Sequence, residues 1–365
     1  IRWPIYRGDG VLLLSKGAII PDQDELLDIL DKNPWRDKAS ILEEQMGEKE
    51  RQTRLSAAKN VQKNLFAEID SWSSRLHNIY KNMQEERCQS IQSIEDIARQ
   101  ITILSTSDPD ACIGAAHFYY EDNLSIMLPI HTATLCGVFS DILEYDNHTK
   151  HALICAALTA NIAMFKYQDR LNSNKNTLNA QQLETVHEHP YQAVSLLKKL
   201  GIEDTLWLKF VGQHHERSDR TGYPAKISGR IMQAEVKILA LIDSYLAMIT
   251  PRAYRKTQSP QKALAELMSM GEQYDERICM KFFTHMGMYP PGTIVKLVNN
   301  EVAIVTRRTI DNNNSYVSSI IGSTGSIFSK PMKRNSQDAD FHIKEAFIPK
   351  NLPRFSPADL YGYKT

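Results

Sequence analysis

The sequence lacks any surplus of charge: Lys and Arg together number 43, and so do Asp and Glu. A protein that grips nucleic-acid polymers through their phosphates needs a basic excess, so that class is excluded. Cysteine is sparse, five in 365 residues, scattered at Cys88, Cys112, Cys136, Cys155 and Cys279. None forms a CxxC pair. That argues against a disulfide framework or a Cys-rich metal module, and fits reduced thiols used as small core side chains in the cytoplasm. No run of 18 apolar residues and no signal peptide stand out, so no membrane span is expected. No internal repeat is visible. The chain opens on Ile1 and not on Met, which leaves room for an upstream segment.

What is present is an ordinary globular composition, 42% hydrophobic and 24% charged, with length for two or three domains. Residues 1–35 read as a small unit. Tyr6-Arg7-Gly8-Asp9-Gly10 is turn chemistry, Val11–Leu14 and Ala18–Ile20 are short apolar strands around Ser15-Lys16-Gly17, and Pro21 opens a helix. This unit is either an input module or a packing cap. Residues 36–60 are dense in both signs of charge and read as a solvated helix or linker. From Val61 the pattern is helical. Leu65, Ile69, Trp72, Leu76, Ile79, Tyr80 and Met83 recur at three and four, then Ile91, Ile94, Ile97, Ala98, Ile101 and Leu104 do the same. Further helices are expected from Ile130 onward, over His151–Phe165, from the capping box Asn179-Ala180-Gln181-Gln182, over Thr205–Gln213, over Ile231–Thr250, and after Ser259-Pro260. Past residue 285 the grammar changes to strands: Gly292–Val298, Val302–Val305 and Tyr316–Ile321.

One string stands apart: His214-His215-Glu216-Arg217-Ser218-Asp219-Arg220-Thr221-Gly222-Tyr223-Pro224. Neighbouring side chains on a helix point about 100° apart, so two adjacent histidines share one ion only where the backbone distorts. Gly222 is suited to positive φ, and Pro224 fixes φ and holds off the next helix. On spacing alone, a helix end with two surface histidines reads as well. Asp243 sits in the middle of an apolar helix, which calls for a paired or metal-bound carboxylate.

The string resembles the signature of the HD-GYP family, bacterial phosphohydrolases that open cyclic di-GMP. The likeness continues through Ile231, Lys237–Asp243 and Arg252-Ala253-Tyr254-Arg255, and upstream through Leu178 and Glu188-His189-Pro190, covering about residues 115–285. It implies a mainly α fold: an HD-domain helical bundle over 61–285, with a small N-terminal β-hairpin and helix module and a C-terminal β appendage over 286–365. The family's Leu-Leu-His-Asp-Ile-Gly-Lys run is altered. Here it reads Leu158-Thr159-Ala160-Asn161-Ile162-Ala163-Met164, so the catalytic positions hold Ala160, Asn161 and Met164. Two dications about 3.5 Å apart repel by roughly 20 kcal/mol at an effective dielectric near 20. An anionic bridge offsets that, and Asn161 is neutral.

What the resemblance leaves is a single-ion site at His189, His214 and His215, with His131 and Asp243 as vestigial ligands and His187 on the surface. No cofactor is required, and one divalent ion (zinc, iron or manganese) has room to bind. Arg252 and Arg255, with Tyr223, match the family's nucleotide-facing residues. The loop of Arg217, Asp219, Gly222, Tyr223 and Pro224 matches one that contacts diguanylate cyclase domains. The implied function is a catalytically inactive signalling protein that binds cyclic di-GMP, docks other signalling proteins, or both. A low-rate phosphohydrolase on three histidines and a ligand-free interaction module are the alternatives, and a second copy of the chain is admitted as a partner.

Overall fold

The computed structural model describes residues 5–6, 12–14, 63–85, 90–119, 123–165, 167–168, 179–250, 258–309, 315–347 and 352–363. The chain divides into two compact units, Ile1–Val61 and Gln62–Thr365. In the first, β1 (Ile5–Tyr6) pairs antiparallel with β2 (Leu12–Leu14), Ile5 opposite Leu14. The partner of Leu12–Leu14 is thus Ile5–Tyr6, which precedes it in the chain. The expected Ala18–Ile20 strand, the helix after Pro21 and the charged segment 36–60 lie outside the described residues.

The second unit is built from helices with side-chain caps. Asn64 accepts from the Phe66 amide and starts α1 (Leu65–Gln84). Its buried stripe is Leu65, Phe66, Ile69, Trp72, Leu76, Ile79, Tyr80 and Met83, as the spacing dictates. α2 (Ser90–Ser107) buries Ile94, Ile97, Ala98, Ile101 and Leu104. Asp108 caps α3 (Pro109–Phe118), with Pro109 in the first turn, where a missing N–H costs nothing. At the centre lies α4 (Leu124–Ile142), which starts earlier than its sequence suggests and carries Pro129 within it. It is long and apolar enough to cross a membrane, but 83% of its apolar window is buried inside the protein, the mark of a core helix. It packs against α1, α2, α3, α5 and α8.

Asp146 caps α5 (Asn147–Thr159). This helix stops short of the expected Phe165: the Thr159 hydroxyl bonds the Cys155 carbonyl and accepts from Trp207 Nε1 at 2.8 Å, and a separate 3₁₀ turn covers Ile162–Met164. The capping box at Asn179 and Gln182 opens α6 (Ala180–Lys199). Asp204 opens α7 (Thr205–Gln213). α8 is Ala234–Ile249 and starts three residues later than expected, leaving Ile231 73% exposed. α9 (Pro260–Ser269) and α10 (Glu276–Met286) complete the bundle, capped by Ser259 and Asp275. The four described cysteines, Cys112, Cys136, Cys155 and Cys279, are free and buried, which fits their reading as core side chains.

The tail is an antiparallel five-stranded sheet, β6-β5-β4-β3-β7. Its strands are β3 (Ile294–Leu297), β4 (Val302–Arg308), β5 (Ser315–Ile321), β6 (Ile327–Asn335) and β7 (Ile343–Ala346), followed by a short α11 (Pro357–Tyr361). Edge strand β6 holds Lys330, Pro331 and Lys333, residues that discourage further strand pairing. Two consecutive arginines of β4 fasten the sheet to α3. Arg307 pairs with Asp108 at 2.8 Å, and Arg308 pairs through Nε with Asp110 at 2.5 Å while its Nη1 donates to the His285 carbonyl. The Arg308 and Asp110 side chains are 14% and 15% exposed. Arg308→Ala strands a mostly buried carboxylate. We expect a loss of about 2 to 3 kcal/mol, between the values for exposed and fully buried pairs, read as a shift of the urea midpoint.

Candidate functional site

Three imidazoles meet where α6 approaches the end of α7. His189 comes from mid-α6, just before Pro190, and is buried. His214 is the C-cap of α7, and His215 follows it off the helix. The adjacent pair thus sits where the backbone leaves the helical path, the condition under which neighbours can face one point. Ring centroids are 5.1 Å apart for His189 and His214, 5.1 Å for His189 and His215, and 4.0 Å for His214 and His215. One ring nitrogen of each lies within 4.8 Å of the others.

The hydrogen bonds fix the tautomers of two of these rings. His189 Nδ1 is 2.6 Å from the Val186 carbonyl, and His214 Nδ1 is 2.7 Å from the Val211 carbonyl. A carbonyl only accepts, so each Nδ1 carries the hydrogen and each Nε2 presents a lone pair. Those two Nε2 atoms face one another at 3.2 Å. Two lone pairs do not bond, so the pair calls for a proton or a cation between them. Burial, with His214 and His187 nearby, lowers His189 to about 3. Burial and the surrounding cationic groups push His215 well below its usual range. Protonation near neutrality is therefore disfavoured, and the donor set fits one divalent ion. Asp243 Oδ2 lies 3.6 Å from His215 Nδ1 and stands behind that ring.

The loop after His215 is held from inside. Glu216 is fully buried, and its two carboxylate oxygens accept from the amides of Ala225 (2.7 Å) and Ile227 (2.8 Å). Arg217 also turns inward: its guanidinium donates to the Ser244 hydroxyl and the Glu216 carbonyl and lies over the Tyr274 ring. The Asp219 carboxylate accepts from the Thr221 amide and hydroxyl, an Asx turn. The left-handed residues of the loop are Arg220 and Lys226. Gly222 is not among them, contrary to the sequence expectation. Its requirement is close approach: a Cβ there would lie 2.4 Å from the Arg217 amide nitrogen and 2.5 Å from the His215 carbonyl oxygen. The Tyr223–Pro224 peptide is cis. Tyr223 lies tilted against His215 at 4.7 Å and stacks on His187 at 4.4 Å, and His187 is exposed, as expected. A groove of about 920 Å³ is lined by Ser218 and Asp219 of the loop together with Arg230, Tyr274, Met280 and Phe283 among others.

The remaining positions are not part of the three-ring cluster. His131 is buried on α4 with Nε2 2.8 Å from the Tyr119 carbonyl. Ala160 and Met164 are buried, and Asn161 precedes the 3₁₀ turn without a side-chain cap bond. That turn packs on α6 and α1. Arg252 and Arg255 lie outside the described residues. Sequence reasoning missed Glu216 and the stacking of His187. A carboxylate inside a polar loop carries no periodic signal, and only its burial marks it.

Comparison with known proteins is consistent with this geometry. The profile of the HD domain family matches residues 82–278. A cyclic di-GMP phosphodiesterase of Pseudomonas aeruginosa is 21% identical over 210 residues, 58% of this chain and 51% of that protein. A cyclic di-GMP phosphodiesterase of Borreliella burgdorferi is 23% identical over 203 residues, 54% of this chain and 53% of that protein. The chain thus spans about half the length of these curated relatives. A solved HDG"Y"P protein from Bdellovibrio bacteriovorus shares the fold with a TM-score of 0.53 at 16% identity, over 77% of this chain and 93% of the other.

Proposed function

The chain belongs to the HD domain family, and from that premise we propose that it is a signalling protein that binds cyclic di-GMP and does not hydrolyse it at a paired-metal centre. The observation that carries this reading is the composition of the pocket. Three imidazoles converge on one point, while the position where the family resemblance calls for a bridging aspartate holds Asn161. His189, His214 and His215 would hold a single ion, and such an ion supplies a Lewis-acid contact for a phosphate oxygen. The chain's own contribution is to keep those rings neutral by burial and to set them through the Val186 and Val211 carbonyls. Arg252 and Arg255 would add bidentate phosphate contacts, which need no bond cleavage. The groove that Ser218 and Asp219 of this loop help to line supports a second role for the loop, in docking a diguanylate cyclase or another signalling protein.

One observation favours a second reading, a slow phosphohydrolase on a single ion: three histidines with an open position are a donor set that hydrolytic metal sites use. Metal analysis, a cyclic di-GMP titration and chromatography of the nucleotide after incubation, all on one sample, separate the two. The binding reading expects at most one ion per chain, nucleotide binding weakened at least tenfold by Arg252→Ala, and intact nucleotide at the end. Two ions per chain, or linear product at a rate that chelator and His214→Ala both abolish, would sink it.

A further inference from the structure

Tyr223 is flanked by two imidazoles. On its inner side stands His215, ring centroids 4.7 Å apart and planes 37° apart. On its outer side stands His187, at 4.4 Å and 29°. His187 lies on α6 two residues before His189 and is exposed. An exposed imidazole on a helix ordinarily samples several rotamers, and holding one costs side-chain entropy. Stacking on Tyr223 selects one orientation. Tyr223 is itself held by its backbone, whose amide donates to the His215 carbonyl, and by the Glu216 carboxylate bound to the Ala225 and Ile227 amides just beyond it. The result is a flat heteroaromatic ring, fixed from beneath with its other side toward solvent, at the margin of the three-ring cluster.

Two further facts narrow what such a surface suits. The ligand-grade nitrogens of the cluster belong to His189, His214 and His215 alone among the described residues, so His187 is outside the ion's donor set. Its helix neighbours Glu184 and Glu188 are exposed carboxylates, unfavourable company for a phosphate. A neutral, flat partner is what remains, and stacking on an imidazole is sequence-tolerant because every nucleobase has a π-face.

We infer that His187, propped by Tyr223, is a base-stacking platform that holds one nucleobase of the ligand while the phosphates face the buried histidines. The inference rests on the nucleotide-binding reading above and adds to it a specific residue for the base.

The test uses the full chain loaded with a divalent ion. Cyclic di-GMP and inorganic phosphate, as a base-free probe, are titrated in parallel into the wild type, His187→Ala and His187→Phe. His187→Ala is expected to weaken cyclic di-GMP about tenfold, the scale of one stacked base. Phosphate binding and metal content should stay at wild-type values. His187→Phe, which keeps a flat ring, should recover most of the loss. A dinucleotide affinity unchanged in His187→Ala would overturn the platform, and so would an equal loss for phosphate. Failure of the wild type itself to bind cyclic di-GMP would instead bring down the nucleotide-binding reading, and this inference with it. That failure is visible before any variant is made.

Discussion

Between pH 6.5 and pH 4 the metal-free protein is expected to lose a large part of its stability. Two histidines outside the three-ring cluster drive this, His131 buried and His117 half-buried. His117 has Nδ1 2.7 Å from the Ile113 carbonyl and Nε2 2.5 Å from the Tyr245 hydroxyl; burial lowers it to about 4. His131, on the central helix against the Tyr119 carbonyl, is lowered to about 4, also by burial. Above pH 6.5 both are neutral in the folded and unfolded chain, and pH has no hold on them. Below 6.5 the unfolded chain takes up protons that the folded chain refuses. The unfolded state then binds more protons, and stability falls as pH falls until the folded values are reached. One pKa unit corresponds to about 1.4 kcal/mol, so a window of this width forfeits on the order of 3 kcal/mol per residue. Two such residues remove a large part of a typical 5 to 15 kcal/mol. His189, lowered to about 3, acts in the same direction when no metal is bound. Urea midpoints taken in chelator from pH 7.5 to 4, followed by the fluorescence of the buried Trp72 and Trp207, measure the slope. His131→Gln should remove a good share of it. A midpoint that stays level from 6.5 to 4.5 would contradict the assignment.

The same two histidines show where a sequence stops being informative. His131 could be placed on a helix near the site from its flanking residues, and as a vestigial ligand from the family likeness. Its actual partner, the Tyr119 carbonyl, is a backbone atom twelve positions away. Spacing rules do not reach such contacts. Where a feature depends on periodicity or a local cap, the sequence was sufficient. The α1 stripe from Leu65 to Met83 is buried as its spacing requires, and Asn179 with Gln182 forms its capping box. Strand β6 escaped notice because its residues lack an apolar alternation: it is an edge, and lysines and a proline occupy it. Leu12–Leu14 is a strand as its apolar run implies, but its pairing with Ile5–Tyr6 was not legible, because local propensity does not say which short apolar stretches pair. His214 and His215 were legible as a pair, but the opposed lone pairs of His189 and His214 follow from two helix carbonyls, Val186 and Val211, that no motif contains.

Gly222→Ala should be the most damaging single-methyl change in the loop. The added carbon would sit 2.4 Å from the Arg217 nitrogen, 2.5 Å from the His215 oxygen and 2.6 Å from the Glu216 carbonyl carbon. All three are backbone atoms, which have no rotamer to yield, so either the loop or the end of α7 must move. Movement in either direction separates the Glu216 carboxylate from the Ala225 and Ile227 amides, leaving a fully buried charge without its donors. We expect a loss of about 3 kcal/mol or more. A second readout is site-specific: Tyr223 would leave its place between His187 and His215, and trypsin would cut at Arg220 or Lys226 far sooner than in the wild type. Gly212→Ala is the matched control. It lies inside α7, its added carbon would meet only Val194 Cγ2 at 3.3 Å, and alanine suits a helix interior better than glycine does. The helix preference for alanine and the close Val194 methyl oppose one another, so that variant should stay within about 1 kcal/mol of wild-type stability. If both variants melt together with the wild type, close backbone approach is not what demands glycine at 222. The carboxylate clasp of Glu216 would then have slack that these contacts deny.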